Sequence, residues 1–279
     1  HRPADLRRLA LRGLALTEAP NAAARHLAAA EILAADADRG GEPPGHAGAG
    51  GDEARRVLMS TLASATFDRV RDVAYEVLLR AAPTPDVATI VELAPGPEWY
   101  QRDAAAKLFA LASRRRDPTQ TTSLRVFPST ASEAWRLAVL SPSPRLCAAM
   151  RLGIFDDDRD GPTALLALAH VGGDDAEAAL AVARAALGRT RLAWEGKDTV
   201  EDEDEASFQK YWHLLRAACA CVERLCDDGE RQHHHGDSVL LCGESLLNDV
   251  LLAMYYSGAV TSAQTAFRVV VRRCHRETV

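Results

Sequence analysis

Aromatic residues are scarce in this chain of 279 residues. Phe, Trp and Tyr together make up 5% of it, whereas apolar residues as a class make up 47%. A core of this composition must therefore be built from Ala, Leu and Val. Ala and Leu are strong helix formers, and no segment shows the alternation of apolar and polar residues that is typical of strands. The composition therefore predicts an all-α protein.

Long apolar runs are also missing, and so is the apolar stretch of a secretory leader. The six cysteines are scattered and include no Cys-x-x-Cys pair. These features predict a cytoplasmic protein with reduced thiols and no membrane insertion. The formal net charge of −6 argues against a globally basic nucleic-acid-binding protein, but it leaves room for a local basic stripe.

The motifs of common catalytic and metal sites are absent as well. There is no Gly-x-Ser-x-Gly elbow and no Walker lysine, and the glycine-rich segment 45–51 follows no strand. Cys219 and Cys221 suggest zinc together with Cys226, Cys242 and His233 to His235, but on a helix Cys219 and Cys221 point about 200° apart. A core role for these cysteines is favoured. We predict a protein that is not an enzyme and needs no cofactor or metal.

Apolar residues at steps of three and four residues recur along most of the chain and predict helices. Pro and Gly punctuate them, for example at Pro142 and Pro144 and at Gly172 and Gly173. Helices are predicted over residues 4–17, 21–37, 53–65, 67–81, 99–116, 132–139, 162–170, 174–187, 206–226, 238–256 and 259–276.

This pattern divides the chain into three parts. A helical pair occupies residues 1–38, and a flexible Gly/Pro linker occupies 39–52. Residues 53–279 form a helical-repeat domain with an acidic loop near 188–205. Helix pairs that cannot bury their apolar faces alone predict an α-α helical-repeat solenoid of the HEAT or armadillo type.

Three segments carry a resemblance to a known family. The first is the helix that begins Phe67-Asp68-Arg69-Val70-Arg71 and is followed by Pro83 and Pro85. The second is Arg102-Asp103-Ala104, which leads to the basic run at 114–116. The third joins Tyr211-Trp212-His213 to Ser257-Gly258-Ala259 and the closing helix that follows. In order and spacing they resemble the thyroid adenoma-associated protein family.

The resemblance implies a fold and a function. Members of this family are large helical-repeat proteins that partner the ribose 2′-O-methyltransferase of the tRNA anticodon loop. The chain is expected to correspond to their central-to-C-terminal region. Its expected partners are the methyltransferase catalytic subunit and, through basic residues, tRNA. The alternative is a general helical-repeat protein–protein adaptor unrelated to tRNA.

The family's basic signature is replaced here, because Tyr255-Tyr256-Ser257 stands where the family has Arg-His-Arg, and Val260 stands where it has Phe. The helix corner at Gly258 has a structural explanation as a C-cap and a functional one as a contact point. The arginines predict a phosphate-facing stripe or, alternatively, a solvated surface with acidic partners. The candidate residues for binding the partner or RNA are Arg69, Arg71, Arg102, Arg114, Arg115, Arg116, Trp212, Arg216, Gly258, Arg268, Arg272 and Arg273.

Overall fold

Helices are the only regular secondary structure in the described part of the chain. The computed structural model describes residues 49–66, 68–81, 85–114, 127–195 and 205–231 and the single positions 248, 250, 251, 268 and 271. Within these residues there is no strand, which confirms the predicted all-α class. The helices are α1 (Ala49–Ser64), α2 (Asp68–Ala81), α3 (Val87–Leu93), α4 (Trp99–Arg114), α5 (Ala131–Ala138), α6 (Pro142–Arg151), α7 (Asp160–Val171), α8 (Ala176–Glu195) and α9 (Glu205–Arg231), with a 3-10 turn at Gly172–Asp175.

Two helices extend into segments that the sequence assigns to loops. Helix α1 begins at Ala49, inside the segment 39–52. Helix α8 continues through Gly188 to Glu195, beyond the predicted end at residue 187. A glycine inside a helix costs only about 1 kcal/mol relative to alanine. Burial of Leu187 and Thr190 on either side of Gly188 favours continuation of the helix.

Helices α3 and α6 were not predicted from the sequence. Helix α3 has only seven residues, and its start is marked by Asp86, whose carboxylate accepts a hydrogen bond from the Ala88 amide at 3.0 Å. Helix α6 begins at Pro142, directly after Ser141 at the N-cap. Proline is compatible with the first helical position because its missing N–H has no intrahelical acceptor there. Pro142 and Pro144, which the sequence analysis places between helices, therefore lie in the first turn of a helix.

Helix α7 lies at the centre of the core. Every residue from Asp160 to Ala169 is buried, as expected for a helix that is apolar on all sides. It packs against α4, α6, α8 and α9. Beside it, the ring of Trp135 contacts those of Phe109 and Phe155 at centroid distances of 5.3 and 5.0 Å. The few aromatic residues of the chain still contribute to the core, because three of them pack together at this point.

Consecutive helices pack together as α1 with α2, α3 with α4, α5 with α6, and α8 with α9. No described helix combines the length and the apolar character needed to cross a membrane. The helices predicted over 4–17 and 21–37 lie outside the described residues. Those over 238–256 and 259–276 lie outside them too, apart from the five single positions, all of which are helical.

Candidate functional site

A cation and two aromatic rings meet where the start of α4 lies against the middle of α9. The ring of Trp99, the first residue of α4, stacks on the imidazole of His213 with 6.0 Å between centroids and 12° between planes. The guanidinium carbon of Arg216, one turn further along α9, lies 3.9 Å from the centroid of the Trp99 ring. Trp99 therefore anchors α9 to α4 through both stacking and a cation–π contact.

Arg71 links α2 to α4 at the same place. Its side chain is fully buried, and its Nε donates to a carboxylate oxygen of Asp103 at 2.6 Å. Its remaining donors reach the Asp68 carboxylate and the carbonyl oxygens at positions 65 and 66. Asp68 also lies 3.8 Å from the Arg216 guanidinium, so Arg71 and Arg216 share this carboxylate. These ion pairs join α2, α4 and α9.

Lys107 completes the network on α4. Its ammonium donates to Asp103 at 2.6 Å and to Asp72 at 2.7 Å. Burial alone would raise the pKa of Asp103, but the charge and hydrogen bonds of Lys107 and Arg71 outweigh burial and hold the pKa below its usual 3.8. Asp103 is therefore ionised at neutral pH and forms ion pairs with two buried cations, to which Asp68 and Asp72 each add a further carboxylate.

Arg102 connects α4 to the turn that precedes α7. Its guanidinium donates to the carbonyl oxygens of Arg159 and Asp158 at 2.6 and 2.7 Å. Burial lowers the pKa of Arg102 and the nearby carboxylates of Asp160 and Asp158 raise it, with burial the larger effect. The same turn is held by Trp135, whose indole N–H donates to Asp160 at 3.1 Å. Arg102 thus fixes the entry to the central helix.

His213 is neutral in this setting. Burial, reinforced by the positive charges of Arg102 and Arg216, lowers its pKa to about 4. Its Nδ1 is buried and has no hydrogen-bond partner among the described residues. Burial also lowers the pKa of Arg216, partly offset by Asp68. The site therefore combines a neutral imidazole with several cations and an aspartate that is ionised at neutral pH.

The structure brings three of the candidate residues together. Arg71, Arg102 and Arg216 take part in the contacts above, and Trp212 is a half-buried neighbour of His213 on α9. The guanidinium groups of Arg71 and Arg102 bind internal acceptors, so the contacts seen for them hold helices together. A role for these residues in binding a partner stays a prediction.

The other candidates lie elsewhere. Arg114 is exposed in the last turn of α4, and Arg268 is an exposed helical position. Arg69 lies on α2, but its side chain is outside the described residues. So are Arg115, Arg116, Gly258, Arg272 and Arg273.

Sequence reasoning did not identify Trp99, His213, Asp103 or Lys107 as site residues. A usable signal exists only for Asp103 and Lys107, whose four-residue spacing on a helix predicts an ion pair. The stacking of Trp99 on His213 joins residues more than a hundred positions apart and has no local signature.

The cysteines on α9 are part of the core. Cys219 and Cys221 are buried free thiols, and burial raises the pKa of Cys219 to about 12. Across the part of the chain that the structure describes, no group of three or more His, Cys, Asp or Glu side chains could hold a metal ion. His233 to His235 and Cys242 lie outside it, as does the side chain of Cys226.

Comparison of the chain with protein-family models, with curated proteins and with solved structures finds no match.

Proposed function

We propose that this chain is a non-catalytic helical scaffold in the cytoplasm that partners a tRNA ribose 2′-O-methyltransferase. Its helix pairs stack as α-α repeats of the HEAT or armadillo type. It positions tRNA so that the catalytic subunit methylates the first nucleotide of the anticodon loop.

One observation supports this proposal above the others. The segments 67–80, 102–109 and 211–217 carry the family resemblance and are far apart in sequence, yet they contact one another. Arg71 on the first binds Asp103 on the second, and Arg216 on the third lies beside Asp68 on the first. These three segments thus form one continuous unit, as a shared scaffold requires.

The physical advantage of such a scaffold is additional binding surface. A small methyltransferase gains substrate specificity when a rigid repeat protein binds both the enzyme and its RNA, because the second contact then forms at a high effective concentration. Arg114 and Arg268, both exposed, are the described candidates for contacting RNA phosphates.

The proposal is tested by reconstitution. The purified chain, the catalytic subunit and tRNA are combined, and 2′-O-methylation of the first anticodon-loop nucleotide is measured by mass spectrometry. We expect no methylation by the chain alone and efficient methylation only when both proteins are present. Methylation by the chain alone, or by the catalytic subunit to the same extent without it, contradicts the proposal.

A matched pair of variants tests the RNA contact. Arg114→Ala should weaken tRNA binding and reduce the slope of log affinity against log salt by about one, because one phosphate contact is lost. Arg136→Ala removes an exposed arginine of α5 that is not among the candidates and should leave the slope unchanged. Equal slopes for the two variants would show that Arg114 does not contact RNA.

An adaptor for protein partners, unrelated to tRNA, is the second candidate function. It is favoured by an apolar groove between α5 and α6. Co-purification from cells separates the two functions, since an adaptor of this kind would bring down neither the methyltransferase nor tRNA.

A further inference from the structure

Arg114 and Arg224 are exposed arginines on two helices that are far apart in the sequence. Arg114 lies in the last turn of α4, and Arg224 lies in the C-terminal half of α9. Because of this separation, only the packing of the helices can bring the two side chains to one surface. The contacts around each arginine show that it does.

Arg224 lies beside the C-terminal end of α7. A Cβ atom added to Gly172, the C-cap of α7, would lie 3.1 Å from the side chain of Leu225. Leu225 directly follows Arg224 in the chain, and Gly172 lies two positions after His170. This close approach places the turn of α9 that carries Arg224 next to the end of α7 that carries His170.

Arg114 lies on the face of α4 that meets α2. Lys107 stands seven positions before it, which is almost two full helical turns, so the two side chains share a face. The Lys107 ammonium donates to Asp72 on α2 at 2.7 Å, which identifies that face. Three positions after Asp72, the ring of Tyr75 contacts the ring of His170 edge-on at 5.1 Å. The face that carries Arg114 therefore points to the junction where α2 meets α7.

The charges at this junction are mainly positive. Burial is the main cause that lowers the pKa of His170 well below 6.5, and three nearby cations lower it further: Arg224, Lys107 and Arg114. Asp103 opposes them, but this carboxylate is already bound by two buried cations, at 2.6 Å in each case. Burial raises the pKa of Tyr75, and Arg224 and Arg114 oppose that rise as well. The two exposed arginines thus share one positive environment, which favours an anion.

The sequence extends the positive charge beyond Arg114, because Arg115 and Arg116 follow it directly. A series of cations matches a polyanion whose charges repeat along a chain, as the phosphates of a nucleic acid do. Arginine suits this role, since its planar guanidinium presents two parallel N–H donors to the oxygens of a phosphate group.

We infer that Arg114 and Arg224 form one basic patch that contacts neighbouring phosphates of an RNA backbone. Phosphate contacts carry no sequence information, so the patch positions the RNA and does not select its sequence. The inference rests on the proposed function in that the partner is RNA. It adds Arg224, which the sequence analysis did not select.

Binding of a fluorescent RNA hairpin to the full chain, measured over a range of salt concentrations, tests the inference. Arg114→Ala and Arg224→Ala should each lower the slope of log affinity against log salt by about one, and the double variant by about two. Arg151→Ala is the matched control, since it removes an exposed arginine of α6 and should leave the slope unchanged. Equal slopes for Arg224→Ala and Arg151→Ala overturn the inference.

Two further measurements separate a phosphate contact from a structural role. Arg224→Lys keeps the charge and should keep the slope of the parent chain, and circular dichroism establishes that each variant is folded. A second hairpin of unrelated sequence should lose the same affinity in Arg224→Ala. A phosphoserine-rich peptide that binds more tightly than either hairpin, and is weakened by the same substitutions, would assign the patch to a phosphoprotein and reject the inference.

The outcome also separates this inference from the proposed function. A chain that binds RNA through Arg114 and Arg224 but supports no tRNA methylation upholds the patch and rejects the methyltransferase scaffold. A chain that supports methylation, but whose salt dependence is the same in Arg224→Ala as in the parent, upholds the scaffold and rejects the patch.

Discussion

At the scale of single residues, the network around Asp103 shows how buried charges are tolerated in this fold. Arg71 is fully buried and Lys107 is nearly so, and both bind the same carboxylate. Removal of one partner from a buried ion pair is destabilising because the other charge is left uncompensated. Asp72 offers a contrast, since its side chain binds the same lysine but is 58% exposed.

This contrast gives a prediction for two matched substitutions. Asp103→Asn should lower the free energy of unfolding by about 3–5 kcal/mol at pH 7, measured by urea denaturation. Asp72→Asn should lower it by less than about 1 kcal/mol, because an exposed pair is screened by water. The pKa of Asp103 is depressed in the fold, so its contribution is present above pH 3.8 and is lost as the pH falls through the lower folded value. Equal effects of the two substitutions would contradict this account.

At the scale of elements, the turn before α7 decides how the central helix begins. The amide of Gly161 donates to the Asp156 carbonyl at 2.8 Å, so the chain is tightly folded there. A Cβ atom on Gly161 would lie 2.9 Å from the Asp156 carbonyl oxygen, which is a backbone atom that cannot rotate away. Glycine at this position therefore allows a close approach of two backbone segments.

Two glycine substitutions test this reading of the turn. Gly161→Ala should lower the free energy of unfolding by about 1–3 kcal/mol, because the turn must shift. Gly188 lies inside α8, and a Cβ added there would meet no atom within 4 Å apart from its chain neighbours and its own helix backbone. Gly188→Ala should therefore raise the free energy of unfolding by about 0.5–1 kcal/mol. Denaturant unfolding followed by circular dichroism measures both. A Gly161→Ala chain as stable as the parent would show that the turn adjusts freely.

At the scale of the whole molecule, two histidines between packed helices tie stability to pH. His170 on α7 contacts the Tyr75 ring edge-on at 5.1 Å, and burial followed by the charges of Arg224, Lys107 and Arg114 lowers its pKa well below 6.5. The pKa of His213 is lowered to about 4, with burial again the main cause. Both are neutral in the fold at pH 7, whereas in the unfolded chain they bind protons from about pH 6.5 downwards.

The fold should lose stability as the pH is lowered. Each histidine has a depressed folded pKa, so the stability that it supports is present above pH 6.5 and is lost as the pH falls toward the folded value. We expect the melting temperature to fall between pH 7 and 5, a window above the range in which Asp103 titrates. His213→Phe keeps a ring against Trp99 and should flatten this dependence. An unchanged profile in that variant would exclude His213 as a contributor.

Some helices of the fold could be predicted from the sequence, and others could not. The apolar periodicity of residues 67–81 predicted α2 almost to its ends, and the observed helix is Asp68–Ala81. Helix α3 was missed because seven residues are too few to show a period, and α6 was missed because its prolines suggested a break. Of the residues in the candidate site, Arg71, Arg102 and Arg216 were identified, but their neighbours Trp99 and His213 were not.

The sequence by itself determined the helical class and most of the helices, because helix formation depends on residues three and four positions apart. Only the tertiary structure decided what the charged residues do. Arg71 and Asp103 are separated by 32 positions, and Arg102 reaches carbonyl groups 56 and 57 positions away. Whether an arginine is buried in an ion pair or exposed to solvent depends on which helices pack around it, and helical periodicity carries no information about those distant neighbours.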